Sequence, residues 1–288
     1  MTISEQFHRL TTKDIQIEDK NLQGRYKVGR ISLMHGNDGV IKPMFDTSEN
    51  VWLVGKTLLP KKRNETAYLR LLYEYKTLDA LNEFDFVPKI HNFVHDMEGV
   101  PYLIMEDLSQ EGYIDIGKYR KRRGWTKNSF TLLQAGLHNA FSILKDQNIY
   151  HRDVHESHVL FKPDQVRPVV LLDFSRCSLV NAKIDAVRSN RPFVERQYPY
   201  LDNLYGADLA SILYGSITGA PLFRSYGDEL EGGVYGYFDE KKFFRSELTK
   251  NVNLEVRKSI VSIYSLITAN ERSKFPELAT VSSIFQNI

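Results

Sequence analysis

Between Ile149 and Cys177 the chain gathers the side chains that can move a proton or hold a cation. The stretch reads Ile-Tyr-His-Arg-Asp-Val-His-Glu-Ser-His, then Val159-Leu160-Phe161, a polar turn, Val169 to Leu172 and finally Asp173. Asp153 lies shortly before the first apolar run and Asp173 directly after the second. A carboxylate at a strand end adds little to packing and is well placed to face a cleft. Two carboxylates carried by one hairpin can accept a proton and hold a cation. His151, His155 and His158 stand among them. On a helix, spacings of four and three would set their imidazoles on one face, a zinc-ligand pattern that suits a metallohydrolase.

The elements that must position these groups follow from periodicity. Val159–Phe161 and Val169–Leu172 flank a turn marked by Pro163, Asp164 and Pro168, which predicts a hairpin of two short buried strands. Thr126 to Gln147 carries one apolar stripe (Phe130, Leu133, Leu137, Ala140, Phe141, Leu144) and predicts a long helix, with Asn148 as its stop. This helix delivers the chain to Ile149.

Upstream, strand-like alternation in Arg25–Met34, the turn His35–Gly39 and the runs Val40 onward and Val51–Val54 predict an antiparallel sheet. Further strands are expected to about Val94 and over Tyr102–Met105. Lys56 ends the run Val51–Val54. A helix is expected over Glu65–Leu81, and Glu74 lies on it, 18 positions after Lys56. Gly55-Lys56-Thr57 is not a phosphate-binding P-loop, because Asn50 stands where that motif needs a glycine. The basic run Lys118 to Arg123 reads as a solvated helix end. Asp208–Tyr214, Glu255–Ile267 and Phe275–Phe285 read as helices.

The 288 residues suffice for one large domain or two small lobes. An apolar fraction of 42% supports an ordinary core, and a net charge of +2 indicates no preference for nucleic acid or membrane. With one cysteine, Cys177, no intramolecular disulfide can form. The polar N-terminal stretch lacks the apolar core of a signal peptide. No apolar run approaches the ~20 residues of a membrane span. These features lead us to expect an intracellular protein, in cytoplasm or nucleus.

His151-Arg152-Asp153 followed by Asp173-Phe174-Ser175 resembles the catalytic loop and metal-binding motif of the protein kinase family, H-R-D-x-x-x-x-N and D-F-G. Lys56, Glu74, Glu106, Asp153 with Asp173, and Asp208 occur in the family's order, so the resemblance covers about Tyr26 to Phe285. It implies an α+β, kinase-like bilobal fold. Residues 1–23 would be an extension. Residues 24–106 would form a small lobe of antiparallel sheet plus one helix, and 107–288 a larger, mainly helical lobe. It implies ATP and Mg²⁺, with Mn²⁺ as the alternative cation, and a protein substrate or binding partner.

Residue by residue, Asp153 would be the catalytic base, with Arg152 and His155 beside it. Lys56, held by Glu74, would steady the nucleotide phosphates. Glu106 and Leu108 would lie in the hinge that meets the adenine. Asp173 and His158 would hold metal. Glu195 and Arg272 would form a distant ion pair. Ser178, Ser189, Tyr198 and Tyr200 lie where activation-segment phosphorylation occurs.

The chain departs from the family's pattern in places. His158 replaces the catalytic-loop asparagine, and imidazole suits Mn²⁺ or Zn²⁺ better than Mg²⁺. Ser175 replaces the glycine of D-F-G, and a side chain there narrows the backbone's choices. Only the fragment Gly36-Asn37-Asp38-Gly39-Val40 stands where a glycine-rich loop would be. No A-P-E motif precedes Asp208. His155 takes the place of the usual lysine, as in some atypical and small-molecule kinases. Three expectations follow: an active kinase, a pseudokinase that binds or scaffolds, and a small-molecule kinase.

Overall fold

The computed structural model describes residues 17–30, 32–35, 39–179, 201–220, 222–224, 235–236, 238–268 and 274–288. The chain is α+β, with an antiparallel sheet in its N-terminal part and mainly helices later. It divides into two compact units. The first is Met1–Ile114 with Leu172–Arg176, and the second is Asp115–Leu171 with Cys177–Ile288.

The sheet of the first unit contains β1 (Ile17–Leu22), β2 (Tyr26–Gly29), β3 (Met34–His35), β4 (Gly39–Asp46), β5 (Val51–Leu58), β6 (Ile90–His95) and β7 (Pro101–Glu106). Its order is β1-β2-β4-β5-β7-β6, with β3 beside β4, and every pairing is antiparallel. It begins inside the stretch expected to be an extension, since β1 pairs with β2. Tyr26, Val28, Met44, Leu53, Val94, Tyr102 and Ile104 form one buried cluster on it. The β4–β5 turn is closed by Asp46, which is buried, accepts two bonds from Arg25 Nε and one from its Nη2, and accepts the Ser48 and Glu49 amides.

Helix α1 (Glu65–Ala80) follows β5, and the Asn64 side chain caps it by accepting the Ala67 amide. Its buried face carries Ala67, Leu71, Thr77 and Leu78, and also Glu74. A carboxylate on an apolar face is costly unless a cation meets it.

Through β8 (Ile114–Asp115) the chain enters the second unit. Helix α2 (Ile116–Arg123) buries Ile116 and Tyr119 and ends at Gly124, whose φ of 67° lies in the left-handed region. Its basic residues are not all solvated as expected, because Arg120 turns inward to Glu156. Helix α3 (Lys127–Asp146) has a reciprocal Thr126–Ser129 cap and buries the whole expected stripe. Each fully buried Leu or Phe there contributes about 2 kcal/mol. Asn148, at φ 55°, turns the chain out of the helix.

Then come β9 (Ile149–Tyr150), β10 (Val159–Phe161), β11 (Val169–Leu171) and β12 (Ser178–Leu179). β10 and β11 form the expected hairpin, with Val159 opposite Leu171 and Phe161 opposite Val169. β12 returns to pair with β9, Ser178 opposite Tyr150. Helix α4 (Leu201–Thr218) starts earlier than the expected Asp208, which therefore sits inside a helix rather than at its start. A short ladder of β13 (Phe223–Arg224) and β14 (Tyr235–Gly236) precedes α5 (Glu240–Phe244), α6 (Leu254–Thr268) and α7 (Leu278–Phe285). Phe243, Tyr264 and Phe285 pack edge to face in this part of the core.

Gly36, Asn37 and Asp38 of the expected phosphate loop lie outside the described residues, as do Glu195, Arg272, Ser189, Tyr198 and Tyr200. Among the described residues, no helix is long and apolar enough to cross a membrane.

Candidate functional site

Each unit gathers one cluster of chemically active side chains. In the first unit Lys56 leaves β5 near its end and reaches Glu74 on α1. Its ammonium donates to Glu74 Oε1 at 2.9 Å and Oε2 at 2.7 Å. It also donates to Asp173 Oδ1 at 2.9 Å. The three residues are 18 and 117 positions apart, so only the fold joins them.

The cluster is set largely out of water. Glu74 is 2% exposed and Lys56 18%, while Asp173 is 31% exposed. Burial alone would strip the charge from Lys56. The two carboxylates outweigh it and hold the ammonium well above its ordinary range. Glu74 is pushed up to about 7, chiefly by burial and also by the charge of Asp173, against the pull of Lys56. The Phe174 amide bonds Glu74 as well, and Phe174 is fully buried.

Asp173 has φ 60°, uncommon for a residue with a side chain. Such backbone costs about 1–3 kcal/mol and persists where surrounding contacts over-determine it. Here Lys56 and Ser175 share its Oδ1, the Ser175 hydroxyl at 2.6 Å and the Ser175 amide at 3.4 Å. Ser175, expected only to restrict the backbone, is thus a hydrogen-bond donor to the carboxylate. A glycine could not supply that hydroxyl.

Glu106 closes β7, and its side chain accepts the Lys89 amide at 2.8 Å. Its own amide donates to the Lys89 carbonyl at 3.0 Å. The Leu108 carbonyl accepts the Tyr113 amide, and Leu108 is buried. Glu106 is thus tied to Lys89, 17 positions earlier, and Leu108 to a local turn, both within the first unit.

The second cluster lies on the loop after β9. Asp153, His155 and His158 each offer a ligand atom within 4.8 Å of the others. Glu156–His158 forms one turn of 3₁₀-helix with His155 at its start. Side chains three apart eclipse on such a turn, which explains why the two imidazole centroids are 3.7 Å apart. His158 Nδ1 bonds the Asp153 carbonyl at 2.9 Å. His155 Nδ1 bonds the Ser157 hydroxyl at 2.8 Å.

His151 does not join them. It is fully buried, so the expected one-faced set of three histidines is corrected: Asp153, not His151, completes the group. The chain is extended or turned here rather than α-helical, which removes the spacing rule on which that expectation rested. Arg152 is exposed and sits at φ 65°.

Two further side chains support this loop. The buried Tyr205 on α4 donates to the Ile149 carbonyl at 2.6 Å and accepts the His151 amide at 3.2 Å. It stacks on Phe141 of α3 at 4.9 Å. One hydroxyl thus satisfies the backbone on both sides of Tyr150. Glu156 points away from the histidines, toward Arg120 at 3.5 Å. Gly117 and Gly215 make its room, since a Cβ on either would stand 3.0 Å from a Glu156 oxygen.

Asp208, on α4, is pushed up to about 7 by burial, partly opposed by a hydrogen bond from Tyr150. Its Oδ2 is buried without a hydrogen-bond partner among the described residues. No family model matches the sequence, and no curated protein matches it.

Proposed function

We propose that this chain is a kinase-type phosphotransferase, taking ATP as donor and a protein hydroxyl as acceptor. The single observation that supports the reading is the Lys56 ammonium held between Glu74 and Asp173 at 2.7–2.9 Å. In this reading the sheet with α1 is the small lobe and the second unit the large lobe of a protein-kinase-like fold. A lysine fixed by a buried glutamate is pre-set to meet phosphate oxygens and loses little freedom on doing so.

The roles divide between the clusters. Asp153 takes the proton of the acceptor hydroxyl. The acceptor oxygen then bonds to the γ-phosphorus as the bond to the β,γ-bridging oxygen breaks, and ADP leaves. Lys56 stabilises the negative charge on the phosphates, and Glu74 keeps it in place. Mg²⁺ would be held by Asp173, whose carboxylate oxygens suit a hard cation, and would supply further charge neutralisation. The imidazole of His158 does not suit that ion.

His158 favours a second reading, a pseudokinase that binds nucleotide or a partner without transfer. Transfer of labelled γ-phosphate to a peptide mixture separates the two. Asp153→Asn is expected to cut the rate at least ~100-fold, the usual worth of a positioned base, with ATP affinity nearly unchanged. Equal rates in the two proteins, or none in either, would reject phosphotransfer through Asp153.

A further inference from the structure

We infer that Asp153, His155 and His158 form a binding site for a borderline divalent transition metal such as Zn²⁺ or Co²⁺, separate from any Mg²⁺ at Asp173. Two imidazoles and one carboxylate are the donors such ions select, whereas Mg²⁺ and Ca²⁺ prefer oxygen alone. Three protein ligands leave a fourth position for water, as in catalytic zinc sites.

The geometry is close to what an ion needs. Bonds of about 2.1 Å place two tetrahedral ligands roughly 3.4 Å apart. The three ligand atoms here already lie within 4.8 Å of one another. His155 is exposed, so its ring can close the remaining distance by rotation.

The surrounding bonds prepare the ligands. A carbonyl can only accept, so the bond from His158 Nδ1 to Asp153 O places the proton on Nδ1, and Nε2 is the nitrogen that would meet a metal. Metal-ligating histidines are commonly oriented through their other nitrogen in this way. The Ser157 hydroxyl can serve the His155 ring similarly. Behind them, Glu156 in its glycine-lined recess and the 3₁₀ turn fix the spacing. The spacing Asp-x-His-x-x-His is compact enough for one short loop and its 3₁₀ turn to present all three.

Occupation would have a consequence under the phosphotransfer reading, on which this part alone rests. A metal on the Asp153 carboxylate removes it as a proton acceptor. Zinc would then act as an inhibitor, released by chelation.

The test is a Co²⁺ titration of the chelator-treated full chain, read by visible absorption and without nucleotide. The expected result is one Co²⁺ per chain with the absorption of a tetrahedral or five-coordinate site, displaced by Zn²⁺. His155→Ala should weaken binding at least ~10-fold, with unchanged circular dichroism because His155 is exposed. His91→Ala, at another exposed histidine, should not affect it. No 1:1 binding, or binding that His155→Ala and His158→Ala both leave intact, would overturn the inference. In the transfer assay, the half-inhibitory Zn²⁺ concentration should rise at least ~10-fold in His155→Ala, relative to that variant's own metal-free rate. Cobalt binding without phosphotransfer would keep the site and reject the enzyme. Phosphotransfer without cobalt binding would do the reverse.

Discussion

The two clusters use similar residue types and are built in opposite ways. Lys56, Glu74 and Asp173 come from a strand, a helix and a turn, and opposite charges hold them largely out of water. Asp153, His155 and His158 come from six consecutive residues of a partly exposed loop that ends in one 3₁₀ turn. The first depends on the fold of its unit, so a change there costs stability and binding together. The second takes its ligands from one short, partly exposed segment, so those side chains can change with little cost to the fold. The contrast predicts a graded set of outcomes.

The largest effect should follow Lys56→Met. It leaves Glu74 buried without its cation, a change worth about 3–5 kcal/mol in well-buried pairs, and removes a charge worth roughly 10²–10³ in rate. Glu74 has its folded pKa raised to about 7, above its ordinary 4.5. Its protonated form is favoured in the fold, so the associated stability is present at low pH and lost as pH rises through 7. Denaturant melts of the variant should therefore show greater destabilisation at pH 8 than at pH 6.

Tyr205→Phe comes next. It strips a donor from the Ile149 carbonyl and an acceptor from the His151 amide, both next to β9. Urea unfolding should show a loss of about 1–3 kcal/mol. A loss under ~0.5 kcal/mol would mean that other groups already satisfy that backbone.

Asp208→Asn tests burial of a carboxyl that has no cation beside it among the described residues. Asp208 is raised from 3.8 to about 7, so stability should fall as pH rises between those values, by up to about 1.4 kcal/mol per pH unit. The asparagine variant should flatten that slope. An unchanged slope would place the titration elsewhere.

Smaller still is Ser175→Ala, which deletes a hydroxyl bond to the partly exposed Asp173 and should cost about 1 kcal/mol. His158→Asn sharpens the contrast differently. It restores an oxygen donor and should raise Mg²⁺-dependent transfer while weakening Co²⁺ binding, with stability within about 0.5 kcal/mol. No gain in transfer, with ATP still bound, would count against a metal role for this position in the reaction.

Local features were legible in the sequence, and long-range ones much less so. The β10–β11 hairpin and α3 follow from short apolar runs, turn residues and one stripe, because their causes lie within a few residues. The pairing of Lys56 with Glu74, 18 positions apart, follows from a resemblance rather than a physical rule. The contact of Lys56 with Asp173, 117 residues away, has no local signal. The histidines illustrate the converse. Their spacing suited a helix, yet Asn148 and the left-handed Arg152 break helical geometry before it can form, and His151 turns into the core. Tyr205 and Glu156 carry no such signal, because a tyrosine in a helix and a glutamate in a loop are ordinary until their partners are known.

The most direct test of the account is a thermal-shift titration with ATP in Mg²⁺, in Mn²⁺ and without metal, on the wild type, Lys56→Met and Asp173→Ala. Ligand that binds the folded chain stabilises it by mass action, about 2.7 kcal/mol at a hundredfold excess over Kd. We expect a metal-dependent rise in Tm for the wild type, lost in Asp173→Ala and strongly reduced in Lys56→Met. No rise with either metal, or an equal rise in all three proteins, would contradict a nucleotide site built on Lys56, Glu74 and Asp173.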